Sequence, residues 1–133
     1  MVPSSSGMYA ARWSRDGKHL AALGPDTPTG RHIMVFDFQS NSWRKLAVAK
    51  YPSIPEWSND SRFLFYQDRL EVNQPIYRIV VASATREVVA DFNADGENRV
   101  VRAGFMELAP VDSPVAIIGR NPADIYRLQL DLP

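Results

Sequence analysis

Apolar and polar residues alternate along most of this chain in short runs broken by Gly, Pro, Asn, Asp and Ser. A period of two places side chains on opposite faces of a strand, and ten scattered prolines oppose long helices, so an almost wholly β chain is predicted. Tyr9, Ala11 and Trp13 are expected on one strand face, with a tight turn at Asp16-Gly17 and a return strand from His19 to Leu23. The turn chemistry of Gly24-Pro25-Asp26 through Thr29-Gly30 predicts a loop. Strands from Ile33 to Phe38 and from Trp43 to Val48 follow, joined by a turn at Ser40-Asn41-Ser42.

The same order then recurs. "RWSRDGKHLAAL" opens at Arg12 and "EWSNDSRFLFYQ" at Glu56, 44 positions later, and both carry Trp-Ser-x-Asp. Strands are predicted from Ile54 to Trp57, Phe63 to Gln67, Ile76 to Ala82 and Glu87 to Phe92, with the first turn at Asn59-Asp60-Ser61. A fainter third unit runs from Val100 to Leu108, from Val115 to Gly119 and onward from Asp124. Leu108 stands where Trp13 and Trp57 stood, and Asp112-Ser113 takes the turn, read as one residue longer than before.

Four short strands repeating with a period near 44 residues are what a propeller blade requires, because each small twisted sheet buries its faces against its neighbours. The predicted fold class is all-β, a partial β-propeller of about three four-stranded antiparallel blades. These cover residues 9–48, 53–92 and 99–132, after a flexible lead-in over 1–8. The first strand of each blade then lines the axis, and Trp13 and Trp57 are expected to wedge between adjacent sheets.

"WSRDGKHLAAL" and "WSNDSRFLFYQ" resemble the blade motif of the TolB-type, WD-repeat-like bacterial propellers: an aromatic, then Ser, Pro, Asp, Gly, Lys and a strand. Arg15 and Asn59 replace the Pro, and Ser61 replaces the second Gly. The later family element, Ile-Tyr-x-hydrophobic-Asp, looks like "HIMVFDF", "PIYRIVV" and "DIYRLQLDL". The tail from Val111 is also similar to the end of propellers appended to bacterial winged-helix regulators and protein kinases.

Composition removes several function classes. Fifteen basic residues balance fifteen acidic ones and no basic cluster exceeds Arg44-Lys45, so direct nucleic-acid binding is not expected. The absence of Cys excludes disulfides and Cys-ligated zinc. Apolar runs such as Leu20 to Leu23 fall far below the ~18 residues of a membrane helix, so no membrane insertion is expected. The opening Met-Val-Pro-Ser-Ser-Ser-Gly lacks the basic and apolar regions of a signal peptide.

His19 and His32 have no ligand-spaced companions, and neither a Gly-x-Ser-x-Gly elbow nor a phosphate-cradling glycine loop is present. Asp16, Asp60 and Asp112 read as turn residues bonding nearby backbone N–H groups, and "DGENR" at Asp95 as a turn rather than a calcium loop. Phe63, Phe65, Tyr66 and Trp43 read as packing. One constellation stands out. Arg12, Glu56 and Glu107 each precede the wedge residue, project oppositely to it, and are the ligand-binding candidates for an axial channel.

No catalytic residue, metal or cofactor is therefore predicted. The resemblance implies a noncatalytic interaction or sensor module binding a protein or small ligand. It would form the C-terminal part of a larger bacterial signalling or Tol-type protein, in a periplasmic or extracytoplasmic setting. The alternative it implies is the substrate-gating propeller of a prolyl-oligopeptidase-like hydrolase, whose catalytic groups lie on a separate α/β domain. A propeller needs at least about four blades. The expected partners are accordingly the remaining blades of the same protein, copies of this chain that close a ring, or a protein ligand.

Overall fold

The computed structural model describes residues 1–92, 102–119 and 123–127. Within them, strands β1 (Tyr9–Trp13), β2 (His19–Thr27), β3 (Gly30–Asp37) and β4 (Ser42–Ala49) form one antiparallel sheet in chain order. A second sheet repeats this with β5 (Glu56–Trp57), β6 (Phe63–Gln67), β7 (Ile76–Val80) and β8 (Thr85–Ala90). The third contains β9 (Arg102–Leu108), β10 (Pro114–Gly119) and β11 (Ala123–Arg127). The expected ends of the third unit, 99–101 and 128–132, and all of "DGENR" lie outside the described residues.

The repeat holds at the level of register, although its spacing is 44 residues from the first unit to the second and 51 from the second to the third. Trp13 pairs with Leu20, Trp57 with Leu64 and Leu108 with Pro114. The third spacing is six residues against seven, so that turn is one residue shorter, not longer. Gly17, Ser61 and Asp112 each donate a backbone N–H to the carbonyl three residues earlier, and each has positive φ, at 72°, 61° and 59°. Asp112 thus stands in the place of Gly17 and Ser61 rather than that of Asp16 and Asp60. Asp is among the non-glycine residues that tolerate this conformation.

Two local expectations are corrected. The segment 24–30 is mostly strand: β2 continues to Thr27 and β3 starts at Gly30. A bulge between Leu23 and Asp26 lets pairing resume at Asp26 opposite Arg31, where their side chains form an ion pair of 3.3 Å. Tyr9 and Trp13 do not share a face, because the register shifts between Tyr9 and Arg12, where Ala10 has φ 55°. Tyr9 lies opposite Leu23 and Trp13 opposite Leu20, which point to opposite sides of β2.

Core forms wherever two sheets meet. Ala21, Leu23, Ile33 and Val35 of the first sheet pack against Trp57, Leu64, Tyr66 and Ile79 of the second. Phe65 and Ile76 on the other face of the second sheet pack against Phe105 of the third. This central position explains why Phe63–Gln67 reads as a nearly continuous apolar run, with Leu64 and Tyr66 serving one interface and Phe65 and Gln67 the other. Burying a side chain of this size contributes about 2–3 kcal/mol.

Candidate functional site

β1 is the edge strand of the first sheet, β5 that of the second, and the two lie against each other. Arg12 and Glu56, each one residue before a tryptophan, therefore come together at this border. Arg12 Nε stands 3.9 Å from Glu56 Oε1, both side chains partly exposed, and the Arg12 guanidinium also donates to the Ala11 carbonyl at 3.0 Å. Burial pushes the Glu56 carboxyl above its ordinary range; the charges of Arg12 and Arg15 oppose this, and the charge of Glu107 adds to it. All three sequence-predicted residues thus belong to one electrostatic cluster. Chemically, a carboxylate beside a guanidinium, with a second carboxylate acting on the first through its charge, can recognise a charged group.

The wedge residues themselves diverge. Trp57 is 3% exposed, stacks on His19 with centroids 6.1 Å apart, and donates its indole N–H to the Arg12 carbonyl at 2.9 Å. Trp13 is 61% exposed and, among the described residues, stacks only within its own sheet, on Phe38 at 4.9 Å and 11°. The same residue at the same register seals an interface in one sheet and an open face in the other.

The turn aspartates act locally, as expected, in two cases. Asp16 Oδ1 accepts from the Ser14 hydroxyl at 2.6 Å and the Lys18 N–H at 3.0 Å; Asp60 Oδ1 accepts from Ser58 at 2.7 Å and Arg62 N–H at 3.0 Å. The hydroxyl bonds hold both carboxyls below the usual range. Asp112 differs. It accepts from the Asn59 N–H of the neighbouring sheet at 2.9 Å, as Ser61 Oγ accepts from Asp16 N–H at 3.0 Å. Of the aromatics, Phe65 and Tyr66 are buried, whereas Phe63 and Trp43 are half-buried. His19 Nε2 lies 3.8 Å from Asp37 Oδ2, and His32 sits in β3 opposite Val48. Among the described residues no three His, Asp or Glu side chains are placed to hold a metal ion.

Sequence reasoning missed a second surface. The buried Asp68 carboxylate accepts from the backbone N–H groups of Lys50, Tyr51 and Leu70 at 2.7, 3.0 and 3.2 Å. This ties the β4–β5 connection to the β6–β7 loop. Tyr51, Ile54, Leu70 and Val72 are exposed on the tied loops, and Arg31 stacks on Tyr51 at 4.6 Å. No local pattern around Asp68 announces three donors from distant loops.

No family model and no curated protein matches the chain. Solved structures do. TolB from Acinetobacter baumannii superposes with a TM-score of 0.67 at 15% identity, over 90% of this chain and 29% of that one. The β-propeller domain of the trilobed protease from Pyrococcus furiosus gives 0.66 at 23% identity, over 92% of this chain and 40% of its own.

The fold is that of a TolB-like β-propeller.

Its three sheets are blades. An acylaminoacyl peptidase from Pyrococcus horikoshii also superposes, at 0.66 and 20% identity, covering 95% of this chain and 25% of that one. At such identities the likeness shows the fold alone, and the chain spans well under half the length of each of these propeller proteins.

Proposed function

We propose that this chain is a noncatalytic interaction module of a propeller, whose binding centre is the axial cluster of Arg12, Glu56 and Glu107. The observation that carries the reading is the placement of three charged side chains, one per blade, at equivalent inner-strand positions, with Arg12 and Glu56 3.9 Å apart. Glu56 is raised chiefly by burial and in small part by the charge of Glu107, so a cationic group from a peptide or small ligand would be favoured beside the two carboxylates. The setting we infer is a larger bacterial signalling or Tol-type protein.

The test is calorimetric titration with two peptides of equal length, one lysine-containing and one glutamate-containing, against the native chain and Glu107→Gln. Preference for the lysine peptide, weakened by the substitution, supports the reading. Equal binding of both peptides, or none, overturns it. The peptidase propeller among the structural neighbours favours a second reading, substrate gating for a hydrolase whose catalytic groups lie on another domain. A catalytic domain fused to this propeller in the full protein, with peptide hydrolysis, would promote that reading.

A further inference from the structure

The strand ends of the first two blades share one surface. Antiparallel pairing brings the start of β1, the end of β2, the start of β3 and the end of β4 to the same end of blade one, and a bridge between Pro52 and Asp68 sets the β6–β7 loop of blade two beside them. Arg31 joins the parts: its guanidinium lies 5.9 Å from the centre of the Tyr9 ring and 4.6 Å from that of Tyr51. Tyr51 and Leu70 then donate their backbone N–H groups to the same oxygen of Asp68, at 3.0 and 3.2 Å. Val72 follows in the turn that closes where the Gln74 N–H meets the Glu71 carbonyl. The blades pack on one another through their sheet faces, so a further blade on either side would not cover these strand ends.

The surface is apolar and firmly held. Leu70 is 66% and Val72 81% exposed, with Tyr9 and Tyr51 exposed beside them. A buried carboxylate is tolerated only where its oxygens are bonded, and the three N–H groups on Asp68 fix both loops in place. The apolar side chains thus stand on backbone that is already ordered, which lowers the entropy cost of docking a partner.

Charge decides which partner fits. The acidic groups here are engaged: Asp26 by Arg31 at 3.3 Å and the Tyr9 hydroxyl at 3.2 Å, Glu71 by the Tyr77 hydroxyl at 2.7 Å, Asp91 by Asn73 at 3.3 Å, and Asp68 by its backbone donors. Lys50 and Arg69, which adjoin Tyr51 and Leu70 in sequence, are exposed, and among the described residues neither belongs to an ion pair. Solvent therefore meets apolar side chains bordered by two uncommitted cations.

We propose that this strand-end surface docks an acidic, aliphatic segment of a partner protein. Leucine-like side chains of the segment cover Tyr51, Leu70 and Val72, and its carboxylates meet Lys50 and Arg69. The surface is separate from the axial cluster and selects charge of the opposite sign. An anionic bilayer fits less well, because Asp26, 57% exposed, would face the lipid headgroups, whereas a peptide can hold its carboxylates away from that group.

The experiment is calorimetric titration of the native chain with a peptide in which leucine and glutamate alternate, so that the leucines share one side when it is extended. Saturable binding is expected, and a peptide of equal length with serine for leucine should bind at least about tenfold more weakly. Leu70→Ser with Val72→Ser, and separately Lys50→Glu with Arg69→Glu, should each weaken the leucine peptide about tenfold or more. All four side chains are exposed, so the melting temperature should stay native. Glu107→Gln should leave this binding unchanged, which tells a failure of the axial reading from a failure of this one. No binding of the leucine peptide, equal binding of the serine peptide, or indifference to either pair of substitutions would overturn the proposal. Phosphatidylserine vesicles that bind the chain when the peptide does not would assign the surface to a membrane, and a native dimer dissolved by Leu70→Ser with Val72→Ser would assign it to a second copy; either result also overturns it.

Discussion

The side chain of Gln67 treats β9 as though it were a further strand: its Oε1 accepts the Phe105 N–H at 2.9 Å while its Nε2 donates to the Ala103 carbonyl, also at 2.9 Å. The residue is fully buried, and Nε2 donates as well to the Gln74 carbonyl at 3.1 Å. An amide thus joins the second and third blades with backbone-like bonds where an apolar contact alone would set no register. Gln67→Leu leaves buried backbone groups on β9 unpaired, and a loss of about 3 kcal/mol is expected in denaturant unfolding. A loss within the scatter of surface substitutions would show that the Gln67 bonds contribute nothing.

Ser58 is buried, and its hydroxyl accepts the Phe63 N–H at 3.0 Å while donating to Asp60. Ser58→Ala is expected to cost about 1–3 kcal/mol through the orphaned N–H. Ser14 makes the same bonds in the first blade, with His19 N–H and Asp16. The two alanine variants, measured side by side by thermal unfolding, should fall in the same range; a silent Ser58→Ala would contradict the turn chemistry.

Arg12→Ala should leave folding intact. Its side chain is nearly half exposed and its pair with Glu56 is long, so a stability change within about 0.5 kcal/mol is expected. The substitution should alter whatever the axial cluster binds. A large fall in melting temperature would instead make Arg12 a structural member of the blade junction.

Glu56 gives a pH signature. Its folded pKa is raised above the ordinary 4.5, chiefly by burial, so the folded state favours the protonated form. Its contribution to stability is present below 4.5 and is lost as pH rises through the folded value. Glu56→Gln should flatten the stability profile just above 4.5 and be no less stable than the native chain at neutral pH. Thermal melts across that window would refute this if the variant kept the native slope.

The stacked pair Tyr66–Tyr77, centroids 5.2 Å apart, gives a second window. Burial pushes Tyr66 up to about 12 against the help of Arg86, which donates to its hydroxyl at 2.8 Å. Burial also raises Tyr77, whose hydroxyl donates to Glu71 Oε1 at 2.7 Å. Stability from Tyr66 is present below the unfolded value of 10.0 and is lost as pH rises through about 12. Phenolate absorbance should show a late titrating fraction that shrinks in Tyr66→Phe and is lost only when Tyr77 is replaced as well. Ionisation of every tyrosine near 10 in the native protein would contradict the buried pair.

By itself the sequence determined the β class, the 44-residue period of the first two units, the blade order and the equivalent register positions of Arg12, Glu56 and Glu107. Those properties rest on alternation, on turn residues and on recurrence, which are local or additive along the chain. Tertiary structure alone decided that Trp57 is a sealed wedge and Trp13 an open one, because burial depends on which sheet lies opposite. It also decided that Ala10 breaks the alternation of β1, that Asp112 reaches across to Asn59, and that Asp68 and Gln67 gather donors and acceptors from distant segments. Each of these depends on partners brought close only when the sheets stack, and one-dimensional spacing carries no record of that approach.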